Sequence, residues 1–212
     1  MVLVQRLEAL VNALDMQVGV GGQVQSSQLS LASSCPGWTV REVINHSIGV
    51  TLKFADFAAG TTESPHSPPG DLVGRDHRQA LRATARAAER AWTSADMSRP
   101  CHLSFGTFSA DAVLGINLVD VLAHTWDIAV AAGVSLVCDD SLWTAGLDAA
   151  ELAIGPDRDD RQYGPEIPVG ASSTARQRFL GFVGRQDPHV PRPPVPSPRP
   201  FVLDRTAYRE AP

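Results

Sequence analysis

The feature that most constrains the fold is a long apolar stretch at residues 111–132, directly followed by Gly133. Its apolar side chains recur at the spacing of an α-helix, and glycine after the last periodic residue is typical of a helix C-terminus. A helix this apolar must be buried on most of its surface, so it needs other helices around it. The stretch therefore predicts a core helix of a helical bundle.

Five further segments have helical periodicity or helix-boundary signals. Thr39 and Glu42 match a capping box, in which each side chain bonds the backbone N–H of the other residue. Glycines at residues 19–22 predict the end of the first helix, and alternating apolar residues at 98–110 predict a short extended insertion. The predicted class is all-α, a four-helix bundle with this insertion before its last helix and C-terminal helices after it. The other predicted helices are residues 1–18, 39–59, 76–95, 141–154 and 174–183.

Proline dominates the segment that follows the last predicted helix. Seven prolines occur at positions 188, 191, 193, 194, 196, 198 and 200. Such a segment favours extended polyproline geometry and cannot form a packed helix. We therefore divide the chain into a helical domain at residues 1–186 and a proline-rich tail at 187–212. The same composition is also found in ligands of other domains.

Composition excludes several classes of protein. The formal net charge is −5 with a pI of about 5.6, so no basic surface favours nucleic acid. No uninterrupted apolar run reaches the roughly 20 residues of a membrane helix, and the N-terminus does not match a signal peptide. We therefore expect a cytoplasmic protein. The sequence leaves a homodimer open.

Cysteine and lysine usage adds two inferences. Cys35, Cys101 and Cys138 are far apart and odd in number, so neither a disulfide framework nor a structural zinc knuckle is expected. Lys53 is the only lysine, whereas alanine, glycine, proline and arginine are abundant. Their GC-rich codons indicate a high-GC genome, for which an actinobacterium is a reasonable source.

Three polar residues on core faces predict a metal site. Asp120 and His124 are one helical turn apart, on a stripe that is otherwise mostly apolar. His46 lies on a similar stripe of the second predicted helix. Unpaired charge is costly in a core, and bundle proteins build metal sites from ligands on facing helices. Two imidazoles and one carboxylate suit zinc and leave a coordination position open, as in catalytic sites.

Spacing alone leaves other interpretations open. An aspartate and a histidine four residues apart are also a common pair on helix surfaces, and a single histidine is usually structural. Asp127 lies near the same face and is a candidate acceptor for the second nitrogen of a ligand imidazole. A simple solvated aspartate is nevertheless the expectation there. No role is predicted for His66, His77, His102 and His189.

Three motifs resemble those of a known family. Residues 33–46, which read SSCPGWTVREVINH, resemble the "TPCPGWTVRDLxxH" stretch of the DinB-like superfamily. Residues 120–127, DVLAHTWD, resemble its "ELLVHGWDLA" helix, and residues 179–185, FLGFVGR, are similar to the ending "LLAFLGRDP". The resemblance is to the N-terminal domain of mycothiol-dependent maleylpyruvate isomerase and its actinobacterial relatives in particular.

This resemblance implies a metal-binding four-helix bundle with His46, Asp120 and His124 as ligands. The family most often has glutamate where this chain has Asp120. Mycothiol is the implied cosubstrate, and its thiol would be activated at the metal to attack an electrophilic substrate. Zinc is the default ion, and nickel, iron or manganese can occupy the same ligands. A maleylpyruvate isomerase is expected to have a further C-terminal domain, which disfavours maleylpyruvate as the substrate here.

Two other functions fit the same ligand set. One is a non-catalytic, metal-stabilised module that binds a ligand or partner, which a fourth protein ligand would favour. The other is a metal-dependent hydrolase that activates water. Activity without any thiol would distinguish the hydrolase from the transferase or isomerase.

Overall fold

The computed structural model describes residues 3–61, 68–154, 158 and 163–187. Within these residues it confirms the all-α class with a small β-hairpin. The hairpin pairs β1 with β2 before the last bundle helix, as predicted for the extended insertion. The proline-rich tail lies outside the described residues, so its prediction stays open. The elements are α1 (Leu3–Gln23), a 3₁₀ turn (Ser26–Gln28), α2 (Val40–Ala59), α3 (His77–Thr93), β1 (Pro100–Leu103), β2 (Gly106–Ser109), α4 (Ala110–Ala132), α5 (Asp140–Ile154) and α6 (Ala175–Phe182).

Helices α1 to α4 form the bundle. Both α1 and α2 pack against α3 and α4, so each helix has two bundle neighbours. Helix α5 packs on the outside of α4, and α6 packs on α5. This arrangement places α4 between the bundle and the C-terminal helices. It also brings the end of the described chain back towards the middle of α4.

The burial of α4 agrees with its role as the core helix. By length and composition it could cross a membrane, whereas the sequence analysis expected no apolar run of that length. However, 83% of its most apolar window is buried inside the fold, as in the core helix of a globular domain. Its ends have clear capping signals, since Ser109 accepts from the Ala112 N–H and Gly133 adopts a left-handed φ of 62°.

Helix α1 is longer than predicted. The glycines at residues 19–22 do not end it, and the helix continues to Gln23. Val20 is buried there in a second hydrophobic cluster, which stabilises the extra turn. Gly21 allows α3 to approach closely, because a Cβ at this position would clash with the Leu81 side chain. Gly21 therefore serves packing between helices, and the predicted end at residue 18 is wrong.

The capping box at the start of α2 is confirmed. The Glu42 N–H donates to the Thr39 hydroxyl at 3.3 Å, and the Thr39 N–H donates to the Glu42 carboxylate at 2.7 Å.

We expect Thr39→Ala to lower the free energy of unfolding by about 1 kcal/mol, because an N-terminal N–H loses its acceptor. Thermal unfolding should show a decrease of about 2–4 °C in Tm. Thr39→Ser keeps the acceptor and should unfold close to the wild type; equal Tm values for Thr39→Ala and the wild type would contradict a stabilising cap.

Candidate metal centre

The three predicted ligand residues lie together where α2 faces α4. The two imidazole Nε2 atoms, of His46 and His124, are each 3.6 Å from Asp120 Oδ1. One ligand atom from each residue lies within 4.8 Å of the other two. The rings of His46 and His124 meet edge to face, with centroids 4.9 Å apart. The structure thus brings His46 next to two residues that lie more than 70 positions further along the sequence.

These distances fit a shared ion better than direct hydrogen bonds. A separation of 3.6 Å exceeds the range of an N–H···O hydrogen bond. Ligand atoms that surround one zinc ion tetrahedrally at 2.0–2.2 Å are about 3.4 Å from each other. The spacing of the two imidazole nitrogens from Asp120 Oδ1 is therefore close to that of ligands around a common ion.

The second oxygen of Asp120 supports the same interpretation. Asp120 Oδ2 is buried and has no hydrogen-bond partner among the residues that the structure describes. An unpartnered carboxylate oxygen in a buried position is costly unless a cation satisfies it. The side-chain exposures are 36% for His46, 16% for Asp120 and 11% for His124, so the group is buried on the α4 side and open on the α2 side. These residues fit a divalent ion that is reached from solvent past His46.

Asp127 holds the other nitrogen of His124. His124 Nδ1 lies 3.0 Å from Asp127 Oδ2, so an Nδ1–H donated to this carboxylate leaves Nε2 free to face Asp120. Asp127 is fully buried, and the expectation of a solvated aspartate is wrong. The reason is that α4 is covered on this face by the chain before α2 and by the segment after α6. The proposed role of Asp127 as acceptor for a ligand imidazole stays a prediction with favourable geometry.

Three other donors complete the surroundings of Asp127. The Ser34 hydroxyl donates to Oδ1 at 2.6 Å, and the Cys35 thiol donates to Oδ2 at 3.2 Å. Arg185 Nη2 donates to Oδ2 at 3.1 Å from the segment after α6. Ser34, Cys35 and Arg185 were not predicted as site residues. All three belong to the motifs that carry the family resemblance. That membership is the sequence signal that could have identified them as site residues.

The charge state of this cluster follows from its contacts. Burial would raise the pKa of Asp127, but the contacts with His124 and Arg185 hold it well below its usual range. Burial, and then the negative charge of Asp127, raise the pKa of the Cys35 thiol to about 12. Cys35, His124 and Asp127 are close enough to bind an ion. However, Asp127 already accepts from four donors, so we interpret this group as a hydrogen-bonded cluster.

The charge of Asp120 affects the pKa of several groups on the open side. Burial lowers the pKa of His46, but the adjacent Asp120 carboxylate outweighs this effect and raises it above its ordinary value. Burial, with a contribution from the charge of Asp120, raises the pKa of Tyr163 to about 12. Burial lowers the pKa of Lys53, although Asp120 partly opposes this effect. The carboxylate thus contributes negative potential at the centre, as a cation site requires.

A groove of about 720 Å³ begins at His46. Its walls are α2 and the loop at residues 68–74, and Trp38 lies at its rim. Asn45 fixes the loop, since its amide donates to the Gly70 carbonyl at 3.1 Å and accepts from the Leu72 N–H at 2.7 Å. The groove is within the size range of small-molecule sites and adjoins His46, one of the three predicted ligand residues.

A tight turn places Trp38 beside His46. The Trp38 N–H donates to the Cys35 carbonyl at 3.0 Å, and Gly37 has a φ of 80°, as the third residue of a type II turn requires. The Trp38 and His46 rings meet edge to face with centroids 5.0 Å apart. The turn predicted from sequence therefore supports His46, a predicted ligand residue, through ring contact.

His77 and His102 have contacts outside this centre. His77 is buried, and its Nε2 is 3.2 Å from the carbonyl oxygens of both Gly21 and Val24. His102 is exposed in the hairpin and contacts Thr107. His66 and His189 lie outside the described residues. The absence of a predicted role for His77 and His102 is consistent with these surroundings.

Sequence comparisons identify relatives of the chain. The family model described as the mycothiol maleylpyruvate isomerase N-terminal domain matches residues 4–129. Two uncharacterized proteins from different strains of Mycobacterium tuberculosis are each 28% identical to the chain over 181 residues. Each alignment covers 84% of this chain and 97% of the relative.

Solved structures with the same fold include a mycothiol-dependent maleylpyruvate isomerase. Its crystal structure matches with a TM-score of 0.65 and 16% identity, over 92% of this chain and 97% of that chain. A histidine-to-alanine mutant of the enzyme matches with a TM-score of 0.58 and 16% identity, over 79% and 75% of the two chains.

Proposed function

Because the chain belongs to the family of the mycothiol maleylpyruvate isomerase N-terminal domain, we propose that it is a metal- and thiol-dependent transferase or isomerase. In this proposal His46, Asp120 and His124 hold one divalent ion. The observation that carries the proposal is the convergence of these three ligands, with a buried Asp120 oxygen that has no partner in the described residues. Zinc suits two imidazoles and one carboxylate, and nickel, iron or manganese can use the same set.

A thiol cosubstrate accounts for the open side of the centre. A bound divalent ion favours the thiolate form of a thiol at neutral pH, which makes the sulfur nucleophilic. The three proposed ligands include no cysteine, and the protonated Cys35 thiol is bonded to Asp127. The reactive sulfur would therefore come from a separate molecule. The solved structure with this fold is of a mycothiol-dependent enzyme, which supports mycothiol as that molecule.

The chain's own residues would orient the reactants. Asp127 accepts from His124 Nδ1 and so directs Nε2 towards the ion site. The groove beside His46 would bind the cosubstrate and an electrophilic substrate next to the open coordination position. Because the α2 side is open and the α4 side is closed, both reactants would approach from the same direction. This is the arrangement that a nucleophilic addition or S-transfer needs.

Elemental analysis of the untagged protein beside His46→Ala tests the metal site. We expect about one divalent ion per chain in the wild type and a loss of most of it in the variant, because one of three ligands is removed. Circular dichroism should show the same helical content in both proteins. Absence of metal from both would refute the proposed centre and the enzymatic function with it.

A second experiment tests the thiol dependence. The zinc-loaded protein is incubated with monochlorobimane, an electrophile whose thioether products fluoresce, in the presence of mycothiol, another low-molecular-weight thiol or no thiol. We expect product formation above the uncatalysed rate with mycothiol, and its loss in His46→Ala. A protein that binds metal but hydrolyses esters without any thiol would support the hydrolase. A metal-loaded protein with neither activity would support the non-catalytic module.

Location and assembly are part of the same proposal. We expect the proposed enzyme to be cytoplasmic, because small-molecule thiols are its proposed cosubstrates. We expect it to bind neither nucleic acid nor membrane. Light scattering after size-exclusion chromatography distinguishes a monomer from a homodimer. Fractionation of the source cells tests the cytoplasmic location.

A further inference from the structure

A chain of contacts leads from the C-terminal segment to the proposed ligand His124. Arg185 follows α6, and its side chain is mostly buried. Its Nη2 donates to Asp127 Oδ2 at 3.1 Å, and the same oxygen lies 3.0 Å from His124 Nδ1. Arg185 Nη1 is in turn bonded to the Val183 carbonyl at 2.9 Å. The Arg185 guanidinium and the His124 imidazole thus both bond the same oxygen, Asp127 Oδ2.

We propose that Arg185 is a positioning residue of the metal centre, which acts by fixing Asp127 and through it the His124 ring. This inference rests on the proposed metal site. The matched family region ends at residue 129, whereas Arg185 comes from the segment beyond it. In this proposal the C-terminal helices complete the centre and do more than cover the bundle.

The charge of Arg185 is needed because Asp127 is buried. The Asp127 side chain is 1% exposed, and its other donors are a hydroxyl, a thiol and an imidazole. A buried carboxylate without a counter-charge is costly and would tend to reorient or attract water. The guanidinium supplies that charge and a fixed donor direction. Partners of this kind behind a metal-binding histidine commonly alter metal affinity.

The fold places Arg185 with little freedom. Its N–H donates to the Leu180 carbonyl at 2.8 Å, which closes the turn after α6. Gly184 has a φ of 74°, and a Cβ there would clash with the Tyr163 carbonyl oxygen. Phe179 and Leu180 are fully buried and hold α6 against the rest of the fold. The guanidinium is therefore presented by a fixed backbone.

Zinc affinity measured by competition with a chromophoric chelator tests the proposal. We expect Arg185→Gln to weaken Zn²⁺ binding by about 10- to 100-fold, the range observed for partners behind metal ligands. Asp127→Asn should have an effect of similar size. The double variant should be no weaker than Asp127→Asn alone, because Arg185 acts only through Asp127. Arg185→Lys keeps the charge and should recover most of the affinity.

Arg176→Gln is the matched control. It removes another arginine–aspartate pair of the C-terminal segment, Arg176 with Asp187 at 2.9 Å, and neither residue is a proposed ligand. We expect its Zn²⁺ affinity to equal that of the wild type. A comparable loss in Arg176→Gln would show that any loosening of this segment weakens the site, and would overturn the specific role of Arg185.

Two readouts separate this inference from the proposed site itself. NMR of the zinc-loaded protein should show a hydrogen-bonded Nδ1 proton on His124, shifted or lost in Arg185→Gln while the helical content is unchanged. Wild-type Zn²⁺ affinity in Arg185→Gln, or additive effects in the double variant, would overturn the inference and leave the metal site intact. Absence of stoichiometric Zn²⁺ from the wild type would instead refute the proposed function.

Discussion

Replacement of His124 by alanine is expected to weaken Zn²⁺ binding by about 100- to 1,000-fold. Zinc sites with four ligands typically have a binding free energy of about 10–16 kcal/mol, and the loss of one ligand of four removes about a quarter of it. His124 is the least exposed of the three proposed ligands, and its ring lies between Asp120 and Asp127. The variant loses a ligand nitrogen and leaves Asp127 without one of its donors. Isothermal titration or chelator competition would measure the change.

His102→Ala is the control for this experiment. It also removes one imidazole, from an exposed position in the hairpin that is remote from the centre. Its Zn²⁺ affinity should match that of the wild type. If His124→Ala still binds one ion per chain with wild-type affinity, the ligand set is wrong. Unchanged helical circular dichroism would show that loss of binding does not come from unfolding.

The largest effect on stability is expected for Trp143→Ala in α5. Trp143 is 2% exposed, and its ring centroid is 5.6 Å from that of Phe179 in α6. Truncation of a buried tryptophan removes apolar burial and leaves a cavity, at a cost of about 3–5 kcal/mol. For a domain of this size that corresponds to a decrease of about 6–20 °C in Tm. Thermal unfolding followed by circular dichroism measures it.

Leu152→Ala in the same helix provides the comparison. Leu152 is 75% exposed, so its truncation should change the free energy of unfolding by less than about 0.5 kcal/mol. Equal Tm values for the two variants would contradict the packing of α5 described above. Because α6 docks on α5, Trp143→Ala should also increase proteolysis of the C-terminal segment before the bundle unfolds.

Local patterns predicted most of the helices. The apolar stretch of α4 and the capping box of α2 identified these helices to within one residue, since caps and periodicity are properties of neighbouring residues. The end of α1 was missed because the role of Gly21 depends on Leu81, which is 60 residues away in sequence. A glycine that allows close packing and a glycine that ends a helix cannot be distinguished without the partner helix.

The candidate site was predictable only where local spacing defines it, as for the helices. Asp120 and His124 share a helix face by spacing, and His46 shares the character of that face. The burial of Asp127 was not predictable, because its covers, Cys35 and Arg185, come from distant parts of the chain. A helical wheel shows which residues share a face, but it does not show which segment covers that face.

The hydrogen bond from Cys35 to Asp127 has a consequence for an enzyme that handles reactive electrophiles. Burial and the charge of Asp127 raise the pKa of the Cys35 thiol far above neutral pH, so this thiol is not readily ionised. The protein's own sulfur next to the centre is therefore a poor competitor for any electrophile that enters the groove. In the proposed enzyme, the aspartate that accepts from His124 would also protect the protein from alkylation by its own substrate.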